Sequence, residues 1–535
     1  MKNRPILILA AILVVFTLRS TKFNALTATD ILLSIAITFA SLGPMVRWVL
    51  KGMDGLPLFE FFCFFHFPYY AYPILAAKQK FMVYSDEDRT NAELVILAFL
   101  GCAIFAYYYY QITLRRRVIS QKQTIWRREL SGVEHVKGFS CLLVVWAIIS
   151  LVNSLGYGGM FGSFLNLARS IASPGGAVAL FYFFHNIGLE RLPRAVGMWI
   201  IPIVALVVIC DVSTGFLVGG GIYIIVALLG YTLARRKIPI AWIALLALLF
   251  QFLHLGKGEM RNEFWGAEST RQSTGVTRVL EVYQHWIGAS WDRLLSPEDE
   301  EQEKASIFDR ANLIQMVALV VHDTPATRPF ITGQTYGQIP ILLVPRFLWA
   351  NKPRGSLPSE TLGIYYELQD EESVNFTAIG FGVIAEAWAN FGWLGVGLVG
   401  ALFGVLSLFG IGISRGLSTS SVGFLVGVVF LAYTFQLEQT LGPYLISISQ
   451  SLIFCVGALL FMSRQKDRGG RHPVHNGTKP VLAVALSGKN ANPASDPNGL
   501  PSSPEMSLRA RRVQVNRLRT QVKHSPSETP ENPEF

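Results

Sequence analysis

The sequence predicts an all-α polytopic membrane protein, and three observations carry that reading. Of its 535 residues, 51% are hydrophobic and only 15% charged, whereas a soluble domain carries about 25% charged residues. Apolar runs of membrane-crossing length recur along most of the chain. Lys and Arg are spread unevenly among the segments that join them.

About 20 apolar residues are needed to cross a bilayer as a helix. About twelve runs approach that length: residues 5–18, 29–50, 57–77, 91–114, 138–156, 175–189, 195–210, 214–233, 238–255, 392–413, 421–440 and 443–463. The first follows Lys2 and Arg4 and is short enough for a signal-peptide core. Arg19 and Lys22 follow it without a small-x-small cleavage pattern, so it reads as a helix. The third gathers aromatic residues from Phe59 to Tyr70 around Glu60 and His66, and a re-entrant segment is its alternative.

Charge sets the expected orientation, because Lys and Arg accumulate in short cytoplasmic loops. With the N-terminus inside, the short inner loops hold about seventeen, among them Arg47, Lys51, Arg115, Arg116, Arg117, Arg235, Arg236 and Arg415. The short outer ones hold Arg19, Lys22, Lys78, Lys80, Arg89 and Arg169. This predicts twelve crossings with both termini cytoplasmic. The net charge of +10 is then a matter of topology and anionic lipid and not of nucleic acid. Cys63, Cys102, Cys141, Cys210 and Cys455 all fall in apolar runs at unrelated spacings, and read as packing residues.

Four regions follow. Residues 1–255 hold helices 1–9, 256–391 form a large external segment, 392–463 hold helices 10–12, and 464–535 form a basic cytoplasmic tail whose Pro, Ser, Asn and Arg content predicts disorder. The external segment is too rich in Trp and Tyr for a disordered loop, so a folded cap is expected. Within it, residues 306–322 read as a helix with Ser306 as cap and Asp309 near the favourable end. Residues 296–303 read as a charged turn. The glycines Gly395, Gly397, Gly400 and Gly404, and the run Gly219, Gly220, Gly221, suggest close helix packing.

Three clusters can carry chemistry. In the first, Lys257 to Glu263, Lys257 reads as an interface anchor and Arg261 as a phosphate ligand. The second runs from His322 to Arg354: Tyr336 lies in a turn-rich stretch, and Pro345, Arg346, Trp349, Lys352 and Arg354 follow. Arginine forks suit bidentate contact with phosphate, Lys352 supplies a compact charge, and Trp349 can stack on a sugar or mark the membrane interface. In the third, Glu386 and Asn390 are four residues apart on one helical face among Phe381, Ile384, Trp388 and Phe391. A carboxyl in such a setting is expensive at membrane depth, which makes Glu386 a functional candidate; pairing with a buried arginine is the structural alternative. Asp211 and Glu438 raise the same question. The acidic triplet Asp86, Glu87, Asp88 reads as a solvated outer turn, and no metal site is expected.

Tyr336-Gly337, then Pro345 to Trp349 with Lys352-Pro353, then Ala385-Glu386 and Asn390-Phe391-Gly392 with Gly395, resemble the motifs of the oligosaccharide repeat unit polymerases, the Wzy-type O-antigen polymerases. The motifs cover about sixty residues, and the helix count and external segment extend the likeness. Members often carry an arginine beside a Ser-Thr-Gly-like start of the eighth helix; here Phe216 follows Ser213, Thr214 and Gly215.

The resemblance implies a GT-C-like architecture and a metal-independent, inverting glycosyltransferase at the outer face of a bacterial inner membrane. Donor and acceptor would be undecaprenyl-diphosphate-linked oligosaccharides, and no cofactor is needed. Membrane lipids, a flippase and a chain-length regulator of the same pathway stand as candidate partners. Such a reaction must stabilise charge on the departing diphosphate and remove a proton from the acceptor hydroxyl. Arg261, Arg346, Lys352 and Arg354 suit the first task, and Glu386 or His322 the second. A ligase of the same class and a lipid-linked oligosaccharide flippase are the rival readings.

Overall fold

Thr27 starts the first described helix with a reciprocal cap: its Oγ1 accepts from the Asp30 N–H (3.1 Å) and Asp30 Oδ2 accepts from the Thr27 N–H (3.0 Å). The computed structural model describes residues 21–114, 125–130, 133–215, 217–265, 274–295, 312–344, 349, 352–375 and 379–469. The predicted first helix, the segment 296–311 with Ser306 and Asp309, and the tail from 470 onward lie outside the described residues.

The described residues are helical, without a strand. In chain order the principal helices are α1 (Ala28–Leu50), α2 (Leu58–His66), α3 (Asp86–Leu114), α4 (Val133–Ser154), α5 (Gly158–Gly188), α6 (Arg194–Ser213), α7 (Leu217–Arg235), α8 (Ile240–Leu255) and α9 (Lys257–Trp265). There follow α10 (Val276–Leu295), α11 (Ile314–Asp323), α12 (Gln334–Gly337), α13 (Ile339–Leu343), α14 (Leu357–Tyr365), α15 (Gly382–Ser414), α16 (Val422–Tyr433) and α17 (Leu441–Gly469). Six of them, α1, α3, α4, α6, α15 and α17, are long and apolar enough to cross a membrane; α7, α8, α11 and α16 are shorter apolar helices.

Several expectations are corrected. The sixth predicted run is the second half of α5, which begins at Gly158; glycine, serine and Arg169 dilute the apolar signal of its first half. The third run is interrupted: α2 passes through a π turn, Phe67–Ala71, before the short helix Tyr72–Leu75. The turn leaves the Tyr69 carbonyl to accept the Leu313 N–H (3.1 Å), which docks the lead-in of α11. Asp86, Glu87 and Asp88 form the first turn of α3, where acidic side chains complement the helix dipole, and not a loop. The tenth helix starts at Gly382 and breaks at Phe391 and Gly392, the latter at φ +57°, ψ −138°. The boundary expected at 391/392 is thus a kink within one element.

Helix ends sort the molecule into two poles. At one, Arg236 donates to the carbonyls of Gly52 (2.9 Å) and Met53, Arg235 pairs with Glu190 (2.6 Å), and Glu129 bridges to Ser421. Arg235 and Arg236, from one of the basic loops, lie at this end. At the other, buried Arg89 bonds Asp30 (3.0 Å), the Gly382 N–H reaches the Glu438 carbonyl (3.1 Å), and the Gly275 N–H reaches the Leu155 carbonyl (2.9 Å). This is the cap end, where the described parts of the segment 256–381 lie.

Small residues set the closest helix contact. A Cβ on Gly400 would lie 2.4 Å from the Phe99 carbonyl oxygen, and one on Gly404 would lie 2.4 Å from that of Ala103, so α15 lies against the α3 backbone. Gly220 packs on the Val212 side chain, but Gly219 faces open space. Replacing Gly404 by leucine is expected to destabilise the protein by about 1–3 kcal/mol through overpacking, read as a lowered thermal midpoint in detergent. An unchanged midpoint would contradict the contact.

Candidate functional site

The cap end carries two polar groups of different character. The first is built on the start of α15. Glu386 is fully buried, and its Oε2 accepts the Leu441 N–H at 2.6 Å, so a carboxylate sits on the N-terminus of α17. Asn390, one turn on, donates from Nδ2 to the Glu386 carbonyl (2.8 Å) and to Thr335 Oγ1 (2.9 Å). The shared face expected of Glu386 and Asn390 is therefore present, and it ties α12, α15 and α17 together. The ring of Tyr336, beside Thr335, lies 6.0 Å from that of Phe391 and tilted 34° to it. Burial, and then the Glu386 carboxylate, push its phenol well above the usual tyrosine range. Glu386 thus anchors a helix end here in place of the arginine pairing considered from sequence.

Lys352 donates to the Leu342 carbonyl, while Trp349 and Arg354 are exposed. Arg346, with residues 345–348, lies outside the described residues. Lys257 is buried. His322 is half exposed, and its Nδ1 lies 2.8 Å from Asp88 Oδ2, so the ring is oriented by a carboxylate on α3.

The second group surrounds a cavity of about 250 Å³ lined by Asn153, Ser154, Arg169, Ser213, Thr214 and Arg278, with Met260, Phe264 and Val282 as its apolar wall. Two turns position arginines around it. Gly156, at φ +83°, leaves space that the Arg278 guanidinium fills: a Cβ there would lie 2.4 Å from Nη1. Gly215, at φ +80°, presents its carbonyl to Arg261 Nη2 (2.9 Å). Both conformations suit glycine. Arg169 projects from α5 near buried Asp211, whose carboxylate accepts from Ser150 (2.9 Å).

Sequence reasoning singled out Arg261, which borders the cavity through Gly215 but is not in its lining, and questioned Asp211, but it counted Arg169 as a loop residue and passed over Arg278. The one available signal was Ser213-Thr214-Gly215, whose arginine neighbours arrive from α5, α9 and α10 and not from the next position in the chain. Converging guanidinium groups on a small polar cavity suit an oxyanion such as phosphate. Among the described residues, no group of His, Cys, Asp and Glu is arranged to hold a metal ion.

Compared with family models, curated proteins and solved structures, the chain matches none.

Glu386→Ala is expected to leave the Leu441 N–H unsatisfied and destabilise the fold by about 1–3 kcal/mol, whereas Glu386→Gln keeps an acceptor and loses less. Thermal unfolding of both variants in nanodiscs checks this. Equal stability of the alanine variant and the parent would sink the anchoring role.

Proposed function

We propose that the protein is a membrane-embedded glycosyltransferase that takes its sugar from a lipid-linked diphosphate, of the oligosaccharide repeat unit polymerase type. The arginine-lined cavity at the cap end is the observation that supports this most. It lies at the ends of α4 and α6, where the headgroup of a lipid would be met and its tail left in the bilayer. The sequence resemblance supplies the reaction class.

In this reading Arg169, Arg278 and Arg261 neutralise the diphosphate. The acceptor hydroxyl attacks C1 of the donor sugar, the bond from C1 to the diphosphate oxygen breaks, and the electron pair departs with that oxygen, stabilised by the guanidinium groups. The hydroxyl proton goes to a general base, and His322, whose ring Asp88 holds through Nδ1, is the candidate proposed for that role. Glu386, sealed and committed to Leu441, acts as a positioning residue. The cap end faces away from the cytoplasm in this reading, because Arg235 and Arg236 lie at the opposite pole.

Reconstitution with undecaprenyl-diphosphate-linked repeat units tests the proposal. Arg169→Ala and Arg278→Ala are each expected to slow chain extension by about 10²–10³-fold, and His322→Gln by about 10²–10⁴-fold. Lysine at either arginine position restores only part of the loss. Translocation of the lipid without new glycosidic bonds would overturn the reading in favour of a flippase. Transfer only to a different acceptor class would favour a ligase.

A further inference from the structure

Helix α10 lies across the bundle and not along it. From its start it meets three helix ends in turn. Gly275 bonds Leu155 beyond α4 (2.9 Å), Tyr283 Oη donates to Ile209 of α6 (2.7 Å), and Ser290 Oγ accepts from Gly256 beyond α8 (3.1 Å). From 275 to 290 a helix advances about 22 Å, close to two interhelical spacings of about 8–10 Å.

Its circumference divides into sectors. Val282, Trp286, Ala289 and Ser290 are buried against the bundle, and the Trp286 indole N–H donates to the Leu253 carbonyl. Thr277, Gln284, Gly288 and Asp292 are exposed and carry no large apolar group. Between these sectors run Val276, Leu280, Ile287, Trp291 and Leu294, 47–67% exposed and within about 60° of one another at 3.6 residues per turn.

The stripe continues an existing apolar surface. Trp291 meets Phe252 of α8 at 6.2 Å between ring centroids, and α8 exposes Trp242, Leu245, Leu248 and Leu249 along its length. A helix transverse to the bundle, with one side on protein, one in water and one apolar beside a lipid-facing helix, has the anatomy of an interfacial helix. We propose that α10 lies in the membrane plane at the cap end, its Val276–Leu294 stripe in contact with lipid acyl chains. The same helix carries Arg278 and Val282 into the cavity wall, which sets that cavity at headgroup depth whichever anion it takes.

Nitroxides at Leu280→Cys, Ile287→Cys, Gln284→Cys and Asp292→Cys, placed in a background lacking the five native cysteines, test this in nanodiscs. The labels at 280 and 287 are expected to relax more with oxygen than with a water-soluble nickel chelate, and those at 284 and 292 the reverse. Water-like accessibility at all four would overturn the proposal, and so would shielding of 280 and 287 from both reagents, which would place a second copy on the stripe. Should the cysteine-free background fail to fold, the native chain in phosphatidylethanolamine and phosphatidylglycerol vesicles carrying a lipid-tethered diazirine gives the second measurement. Adducts on Leu280, Ile287 and Trp291 support lipid contact, and their absence while α8 is labelled contradicts it.

Discussion

A helix that ends or breaks near lipid must have its free backbone groups satisfied by other parts of the protein, and the cap end meets that constraint with side chains. Glu386 takes the Leu441 N–H, Ser290 that of Gly256, Arg261 the Gly215 carbonyl, Tyr283 that of Ile209 and Trp388 that of Thr324. Each bond joins segments far apart in sequence. Together they fix the ends of the spanning helices relative to the segment folded over them, and the arginines are placed by that framework.

The residues that carry the family resemblance take part in this framework. Asn390 holds α12 through Thr335, Gly392 provides the break in α15, and Glu386 anchors α17. The arginines that line the cavity come from elsewhere, on α5 and α10, with Arg261 of α9 held beside them on the Gly215 carbonyl. A division of labour follows, in which motif residues fix the architecture and, under the proposed function, dispersed arginines meet the anion. Glu386, sealed and bonded to Leu441, belongs to the architectural side of that division.

Legibility in the sequence followed the same division. Long uniform apolar runs such as α1, α4 and α6 are visible because their periodicity and length have one solution in a bilayer, and the shared face of Glu386 and Asn390 follows from helical spacing alone. The first half of α5 was missed because Gly158–Ala172 mixes glycine, serine and charge, and it forms a helix through its neighbours. Helix α10 was missed because its three sectors average to an unremarkable composition. Arg278 has no local signal at all: its meaning comes from Gly156, 122 positions earlier, whose positive φ makes room for it. Asp86 to Asp88 misled because a helix start and a solvated turn share the same acidic composition, and the partner that decides, His322, lies far along the chain.

The most direct test of the arginine cavity is an electron cryo-microscopy map of the protein in nanodiscs containing undecaprenyl diphosphate. The account predicts diphosphate density between Arg169 and Arg278, within reach of Arg261, with the prenyl chain leaving toward the bilayer. Diphosphate bound instead beside Lys352 and Arg354, with the Arg169 cavity holding none, would contradict it.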